Sequence, residues 1–502
     1  MDNKVLQRDI YIERQYLKSQ QFKKKLIGNK INHPLVLISI LLISIASAVG
    51  VAVFGIKAGI LLIIAILAGP VIFCTIAYPK IGIIISLIVS YFLLYAEKFT
   101  DFPVGTIMDG LLALLIFGFF LKQKDNQDWK IFKNPISIMI LVWIGYNFIE
   151  VANPFAESRL AWVYTVRTVA VVLLMHFIFL YHIRSVTFIR VIFKVWILLS
   201  LLAALYGLNQ ELFGFFPFEQ KWLDDNPTAI SLYFIGGVWR KFSIFSDPVT
   251  FSYNMVISAL LCISLMTGPL KNWKKAVLFL IAFTCLFSML FSGTRGAYVL
   301  VPVSLGMFLI LKFNKRILIL GLMAGVFMAA LVFMPTSNQY IQRFQSAFTP
   351  EYDASFNVRA TNQKMIQPYI LRHPIGGGLG ATGTWGQRFS PNSFLANFPP
   401  DSGYVRVAVE IGWIGLFIFC TLIFIILKVG ITNYYQIKNP ELKSYSLALV
   451  LIVFALHIGN FPQEALVQYP TNILFSLVLA LINTTLALDK KGTQYPQCIK
   501  NE

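Results

Sequence analysis

The feature that most constrains this chain is a succession of apolar runs along nearly its whole length. Most of these runs are long enough for a helix to cross about 30 Å of hydrocarbon, and they give about fourteen candidate spans. Because the third to fifth runs are short, we expect a total of about 12–14. With 57% apolar and only 13% charged residues, the sequence predicts an all-α, polytopic transmembrane helix bundle. The runs lie near residues 34–55, 58–78, 81–96, 104–121, 135–151, 160–182, 187–207, 249–268, 276–292, 296–313, 316–335, 403–428, 444–461 and 469–488.

If the runs cross the membrane one after another with the N-terminus in the cytoplasm, every second connection is cytoplasmic. The basic residues test this threading, because lysine and arginine concentrate in the cytoplasmic connections of membrane proteins. Every second connection is rich in them, up to Lys490 and Lys491 after the final run. Residues 1–33 form a basic cytoplasmic segment, either a surface helix or a solvated tail, ahead of a bundle over residues 34–488. Residues 489–502 are predicted to be a cytoplasmic tail, so both termini lie on the cytoplasmic side.

Two connections, residues 207–248 and 336–402, are much longer than the others, and the threading places both outside the cytoplasm. Long connections in compact proteins usually carry function or are disordered. Because both would face one compartment, we predict that they form a shared extracytoplasmic site.

The second long connection ends in a glycine-rich stretch, HPIGGGLG, and leads into a run that carries Arg406 and Glu410. Hydrocarbon rejects such charges unless they pair, line a path or take part in chemistry. This junction, from His373 to Leu416, is the default active-site prediction. The alternative for the glycines alone is a flexible connector.

Several arginines lie at the outer face, where basic residues are otherwise few. Arg295 stands between two apolar runs in FSGTRGAYV, and Arg240 lies in the first long connection. The second long connection adds Arg343, Arg359, Lys364, Arg372 and Arg388. Guanidinium groups suit phosphate and pyrophosphate oxygens, so these residues predict an anionic ligand. The alternatives are that Arg295 snorkels at a helix end and that the loop arginines pair with acidic residues such as Asp401.

Several other functions are disfavoured. The net charge of +19 is spread over short inner connections, which argues against nucleic acid as a partner. The five cysteines form no CxxC pair and the five histidines lack metal-ligand spacing, so a metalloenzyme is disfavoured.

Asp109, Glu150 and Arg167 lie in or beside predicted spans. Ion pairing within the bundle is the simplest explanation for these charged residues.

The combination FSGTRGAYV, RHPIGGGLG and DSGYVRVAVEIGWIGLF resembles the O-antigen ligase and polymerase superfamily of bacterial membrane glycosyltransferases. Arg295 matches the arginine that ends a span in that family, and His373 to Gly380 match its His-Pro pair and glycine turn. The ligase signature then has a histidine followed by asparagine or serine. Nine residues later comes a glycine, and a second glycine follows after two more residues. Here Asp401 replaces the histidine, with the spacing to Gly412 and Gly415 kept, which favours polymerases over ligases.

The resemblance implies a glycosyltransferase C-like bundle that polymerises O-antigen or exopolysaccharide repeat units, with inversion and without metal or other cofactor. It implies that Arg240 and Arg295 bind the donor pyrophosphate and that Asp401, or less favourably Glu410, is the catalytic base. Arg359, Arg372, His373, Arg388 and Arg406 are candidate glycan or phosphate contacts.

The implied partners are an undecaprenyl-pyrophosphate-linked oligosaccharide, a growing glycan acceptor, the lipid bilayer and, as a candidate, a chain-length regulator. The implied location is the bacterial inner membrane, with an extracytoplasmic active site. One alternative is a ligase that transfers glycan to lipid A core or protein. Another, from a different class, is a secondary transporter of an anion such as bicarbonate, with the charges in the spans lining its path.

Overall fold

The computed structural model describes residues 68–100, 104–123, 129–235, 237–348 and 354–494, together with residues 41, 44, 45, 48 and 52. The all-α expectation is confirmed: eighteen α-helices and a single two-stranded hairpin make up this part of the chain. The basic segment 1–33, nearly all of the first predicted run, about half of the second, and residues 495–502 lie outside the described residues.

The helices follow one another with short connections, except in the two long segments. Their bounds are α1 Pro79–Glu97, α2 Gly105–Gln123, α3 Pro135–Ile149, α4 Arg159–Val169, α5 Leu174–His182, α6 Val186–Leu212, α7 Pro217–Asp224, α8 Pro227–Tyr233, α9 Pro248–Met266, α10 Asn272–Leu290, α11 Arg295–Leu311, α12 Lys315–Phe333, α13 Gln339–Gln345, α14 Ala354–Arg372, α15 Gly383–Phe389, α16 Gly403–Gln436, α17 Pro440–Gly459 and α18 Thr471–Gln494. The hairpin pairs β1 (Phe234–Ile235) with β2 (Val238–Trp239) in antiparallel register.

Nine stretches in the described part of the chain are long and apolar enough to cross a membrane. They are Pro79–Glu97, Pro135–Ala152, Arg159–His182, Val186–Leu212, Pro248–Met266, Asn272–Leu290, Gly403–Gln436, Pro440–Gly459 and Thr471–Gly492. Shorter apolar helices cover Ala68–Ala77, Gly105–Leu121, Arg295–Leu311 and Gly321–Phe333. The chain is therefore a multi-pass membrane protein, and each predicted run from 81–96 onward coincides with a helix.

Polar residues mark where several of these helices begin. The side chains of Asn134, Ser185, Asp247 and Asn439 each accept a backbone N–H in the first turn of the helix that follows. Such caps satisfy amide groups that have no partner inside the helix. Three of these four caps are followed directly by proline, whose fixed φ suits the first helical position.

The centre of the bundle is formed by α9, α17 and α18, which are its most buried spans. A buried chain of hydroxyl groups links α1, α6 and α9: Tyr91 bonds Ser200 at 2.9 Å, and Ser200 bonds Ser258 at 2.7 Å. On α4, Arg167 Nη1 donates to Asp109 Oδ2 at 2.6 Å, which is the ion pair expected within the bundle. These polar groups are thus paired with one another inside the bundle.

The first long connection is folded, and a buried carboxylate fixes it to the bundle. Glu219, on α7, is fully buried and accepts hydrogen bonds from Tyr95, Tyr206 and Gln210. Tyr340 of the second long connection donates to Glu211 at 2.7 Å. The two long connections therefore contact each other at one end of the bundle, as the sequence predicts.

Lys98, just after α1, inserts its ammonium group among aromatic rings of the first connection. Nζ lies 3.5 Å from the ring centroid of Phe242 and 4.5 Å from that of Trp222. Burial lowers the pKa of Lys98 to about 7, while Asp247 and Glu219 act in the opposite direction. The ring faces also attract the charged form. The end of α1 is therefore attached to the loop by a buried amine.

This amine makes stability depend on pH. The unfolded chain holds the Lys98 proton up to a pKa near 10.5, whereas the folded chain releases it near 7. Between these values the unfolded state binds more protons, so stability rises with pH. We expect the apparent melting temperature to rise more steeply between pH 7 and 9 in the wild type than in Lys98→Met. Equal slopes in differential scanning fluorimetry would contradict this linkage.

Candidate functional site

The FSGTRG segment forms a tight turn between α10 and α11. Gly293 has φ +61°, and a Cβ at this position would lie 2.9 Å from Arg343 Nε and 3.2 Å from Arg240 Cγ. Only glycine accepts both this backbone conformation and such close packing. The turn therefore serves as the contact surface for two arginines that come from the two long connections.

Both guanidinium groups are held to this turn by hydrogen bonds. Arg240 Nε donates to Ser292 O at 2.9 Å and Nη2 donates to Thr294 Oγ1 at 3.1 Å. Arg343 Nε donates to Gly293 O at 2.7 Å. Burial and the neighbouring Arg343 lower the pKa of Arg240 to about 10, which leaves it charged at neutral pH. Two positive charges are thus fixed side by side.

A cleft of about 610 Å³ opens over these two residues, and we call it the arginine cleft. Trp239, Phe291 and Tyr340 contribute its aromatic lining, and Gln339 and Gln342 contribute amides. None of its lining residues in the described part of the chain is acidic. Two fixed guanidinium groups beside amide and aromatic groups are suited to an anion with several oxygens.

Arg295 is the first residue of α11 and is half-buried. It does not line the arginine cleft, but it acts electrostatically on the Tyr298 hydroxyl, as do Arg240 and Arg343. Three arginines are therefore gathered around the N-terminal end of α11. The structure brings together the two residues predicted to bind pyrophosphate.

The predicted base, Asp401, lies just before α16, and its carboxylate is accessible, with 39% of the side chain exposed. Arg359 Nε approaches Asp401 Oδ2 at 3.7 Å. Arg359 also acts electrostatically on the Tyr253 hydroxyl, and a Cβ at Gly296 would lie 2.8 Å from that hydroxyl. Arg359 and the start of α11 therefore both lie near the Tyr253 hydroxyl.

The glycine-rich stretch from His373 to Gly380 inserts into a break in α16. Gly412 has φ +72° and ψ −179°, which interrupts the helix. Backbone donors of the stretch fill the gap: Gly377 N binds Val409 O at 2.9 Å and Gly378 N binds Glu410 O at 2.8 Å. On the other side of the break, Ile414 N donates to Pro374 O at 3.2 Å. The two segments are thus joined by backbone hydrogen bonds on both sides of the break.

Glu410 fastens the same stretch through its side chain, which is only 2% exposed. It accepts from Gly380 N at 3.0 Å and from Thr382 Oγ1 at 2.5 Å. Arg406 donates to Glu410 at 3.0 Å and to Glu464 at 2.5 Å. The charges of this helix are therefore paired with each other and with the loop. A small, mostly apolar cavity of about 70 Å³ adjoins these three charged residues.

The remaining predicted contacts lie apart from the arginine cleft. Arg372 is exposed at the end of α14, and Arg388 is exposed over the rings of Trp385 and Phe389. His373 stacks on Tyr369 with ring centroids 4.0 Å apart, and its Nδ1 lies 2.9 Å from Tyr369 O. The structure places none of these three beside Arg240.

Two residues make contacts in the site that the sequence did not predict. Arg343 was one of several loop arginines, and only its contact with Gly293 distinguishes it. Glu464 lies in the short connection between α17 and α18 and is the second partner of Arg406. The one sequence signal that could have identified Glu464 is that it is an acidic residue in a short connection, in a chain where another span carries an unpaired-looking arginine, Arg406.

Comparison with known proteins agrees with this architecture. Residues 279–420 match the family model described as O-Antigen ligase. An O-antigen polymerase from Salmonella muenchen is 25% identical over 219 residues, which are 42% of this chain and 52% of that protein. The chain thus spans about half the length of this relative. The resemblance to the O-antigen ligase and polymerase superfamily is confirmed.

The helix break makes a sharp prediction for Gly412→Ala. The added Cβ would lie 1.9 Å from Pro374 O at a φ of +72°, so the loop and the helix could not both keep their positions. We expect a loss of about 2–4 kcal/mol of stability, visible as a lower apparent melting temperature. In Gly145→Ala, the matched control, the Cβ meets open space, and stability should hold or rise slightly. Equal melting temperatures for both variants would contradict the packing described.

Proposed function

From the confirmed resemblance to the O-antigen ligase and polymerase superfamily, we propose that this chain is a membrane glycosyltransferase. It polymerises oligosaccharide repeat units carried on undecaprenyl pyrophosphate. The observation that carries the proposal is the convergence of Arg240 and Arg343 on the Gly293 turn beside Arg295. Such a cluster is suited to the pyrophosphate of a lipid-linked donor.

The arginines bind the donor and stabilise the charge that develops as its glycosidic bond breaks. When the bond from the anomeric carbon to the pyrophosphate oxygen breaks, its electron pair leaves with the lipid pyrophosphate. Guanidinium groups already held in place can neutralise this charge without reorganisation at the moment of reaction. The proposal therefore assigns leaving-group stabilisation to the arginines and needs no divalent metal.

Asp401 is the proposed base. The acceptor hydroxyl attacks the anomeric carbon from the side opposite the pyrophosphate, and its proton passes to the Asp401 carboxylate. A single displacement of this kind inverts the anomeric configuration. The accessible position of Asp401 favours it over Glu410, whose oxygens already accept hydrogen bonds from the glycine stretch and Arg406. We assign Glu410 and Arg406 to anchoring this loop.

The arrangement in the membrane follows from the same charges. Both long connections, with the arginine cleft, would face the extracytoplasmic side of the bacterial inner membrane, and the lysine-rich end and both termini would face the cytoplasm. The donor glycan would lie between the two connections with its lipid among the spans. The growing glycan would approach from the side of Asp401.

A ligase is the second candidate, because the family that matches residues 279–420 is described as O-Antigen ligase. A ligase moves finished glycan to a different acceptor, whereas a polymerase joins repeat units to one another. The products separate the two: a ladder of lengths indicates polymerisation, and a single transfer to lipid A core or protein indicates ligation.

Arg343→Gln provides the first test of the proposal. With purified protein, lipid-linked repeat units and EDTA in the buffer, the wild type should form a ladder on a gel. Loss of one fixed donor to the leaving group should lower the rate by about 100-fold. Arg159→Gln is the matched control, because it removes an exposed arginine at the start of α4 while the arginine cleft is unchanged.

Three outcomes would overturn parts of this assignment. No product from the cognate donor would exclude polymerisation. A ladder that requires added Mg²⁺ would exclude a metal-independent reaction. Equal rates in Arg343→Gln and Arg159→Gln would remove the arginine cleft from the mechanism.

Asp401→Asn tests the base. We expect kcat to fall by about 100- to 10,000-fold with little change in KM, since the amide keeps the shape but cannot accept the proton. Asp401→Glu should recover part of kcat. Full activity of Asp401→Asn would exclude Asp401 as the base. A Glu410→Gln variant that folds should keep most of its activity, and loss of its kcat alone would move the role to Glu410.

A further inference from the structure

A second cleft lies between the connection from α3 to α4 and the later part of the second long connection. Its lining comes from residues between 155 and 161, from Tyr369 on α14, and from residues between 377 and 395. We call it the Tyr369 cleft. Among the described residues, it shares no lining residue with the arginine cleft. The threading that places both long connections outside the cytoplasm places residues 152–159 there as well.

The side chain of Asn153 joins two walls of this cleft. Its Nδ2 donates to Ile375 O at 2.8 Å, and its Oδ1 accepts from Phe155 N at 2.9 Å. One amide, only 9% exposed, therefore fixes Phe155 relative to the glycine stretch. The glycine stretch is itself paired with α16, so the cleft is attached to the helix that Asp401 precedes.

The glycine stretch also positions a tyrosine hydroxyl in the cleft. A Cβ at Gly377 would lie 2.6 Å from Tyr369 Oη, so a side chain there would displace this hydroxyl. The Tyr369 ring stacks on His373, with ring centroids 4.0 Å apart. Burial raises the pKa of Tyr369, and the nearby carboxylate of Glu157 acts in the same direction. The hydroxyl therefore stays protonated and can donate a hydrogen bond.

The cleft exposes both aromatic rings and hydrogen-bonding groups. Phe155 is 49% exposed and Phe394 is 56% exposed, so both rings present apolar surface. Glu157 is also exposed, and an ionised carboxylate accepts hydrogen bonds without donating any. Ser393 Oγ accepts from Leu395 N at 3.1 Å, which holds this hydroxyl at the cleft wall. Flat apolar surface and polar groups are thus combined in one place.

A pyranose ring has the chemistry that matches this lining. Its C–H faces are apolar and can lie against aromatic rings, while its hydroxyl groups lie around the edge and both donate and accept hydrogen bonds. Two neighbouring hydroxyl groups can donate to the two oxygens of one carboxylate. A lipid chain has the apolar surface but offers no hydroxyl groups to Glu157 and Tyr369. The lining therefore favours a sugar.

The Tyr369 cleft lies at a distance from the proposed base. Arg359, which approaches Asp401, belongs to the same helix as Tyr369 and precedes it by ten residues. Ten residues correspond to about 15 Å of helix. A single sugar at Asp401 does not extend this far, so the cleft would contact a sugar further along the glycan.

We propose that the Tyr369 cleft binds a pyranose residue of the glycan that lies away from the reacting bond. This inference rests on the proposed function, because it assigns one sugar position of the same substrate. Glu157 and Tyr369 bond the hydroxyl groups of this sugar, and an exposed phenylalanine ring contacts its C–H face. Contacts remote from the reaction can orient a substrate and discriminate between glycans. Glu157 and Tyr369 thus determine specificity and are not catalytic residues.

The test measures glycan binding without glycosyl transfer. The full-length protein is placed in phosphatidylcholine nanodiscs, because maltoside detergents carry sugars of their own. The probe is the free repeat-unit oligosaccharide, prepared from the surface polysaccharide of the host, and its binding is followed by saturation-transfer NMR. We expect Glu157→Gln and Phe394→Ala each to weaken binding about tenfold, since one charged hydrogen bond or one ring contact is lost.

Two matched variants remove similar groups outside the cleft. Asp225→Asn removes an exposed carboxylate from the first long connection, and Phe213→Ala removes an exposed phenylalanine at the end of α6. Both should bind the glycan as the wild type does. Because all four side chains are exposed, we expect unchanged melting temperatures, which would exclude a folding defect as the cause.

The polymerisation assay supplies a second readout. In Glu157→Gln, the KM for the complete lipid-linked repeat unit should rise about tenfold with little change in kcat, because the lost contact is remote from the reacting bond. With a lipid-linked donor shortened to its first sugar, Glu157→Gln and the wild type should react equally, since this donor does not reach the cleft.

Several results would overturn the assignment of the cleft. Equal binding by the wild type, Glu157→Gln and Phe394→Ala, or no binding by any of them, would remove the sugar from the cleft. Equal weakening in Asp225→Asn and Phe213→Ala would reduce the effect to a general change of the surface. Cleft-dependent binding without a ladder would support the cleft and overturn the proposed polymerisation, whereas a ladder that the cleft variants leave unchanged would do the reverse.

Discussion

The interaction on which the candidate site depends is the pairing of the glycine stretch, residues 373–380, with the broken part of α16. A helix that breaks leaves backbone groups without partners, and buried groups of this kind are costly. Here the backbone N–H groups of Gly377 and Gly378 donate to two of the carbonyls that the break leaves without a helical partner. The carbonyl of Pro374 accepts from the N–H of Ile414 beyond the break. The loop and the helix therefore complete each other, and neither could keep its shape alone.

This pairing also explains why the helix keeps charged residues. Glu410 accepts backbone and hydroxyl hydrogen bonds from the loop, and Arg406 balances its charge while reaching Glu464. Removing one member of such a buried set leaves the other charges unpaired. The stability lost in this way is usually larger than the net stability that the intact set contributes. The network fixes where α16 begins, and thereby where Asp401 lies. The ion pairs of this network thus position Asp401, the proposed base, while the proposal assigns them no part in the reaction itself.

Much of the fold could be predicted from the sequence, because length and apolar content decide which segments cross a membrane. The site was predictable only in part. FSGTRG and RHPIGGGLG marked the right segments, but no local pattern connects Arg343 with Arg240, which is about a hundred residues away in the chain. The run 403–428 predicted one continuous helix, whereas the break at Gly412 depends on a distant loop. Contacts between distant segments are what sequence periodicity cannot predict.

The break divides α16 into two pieces with different relations to the bilayer. The piece after Gly412 runs to Gln436, about 24 residues or about 36 Å of helix, which alone exceeds the thickness of the hydrocarbon. The piece from Gly403 to Ile411 is thus not needed to cross the hydrocarbon and can lie at the depth of the lipid headgroups. During insertion only the longer piece has to satisfy the hydrophobicity threshold of a span. Substitutions in the shorter piece therefore need not alter the topology of the chain.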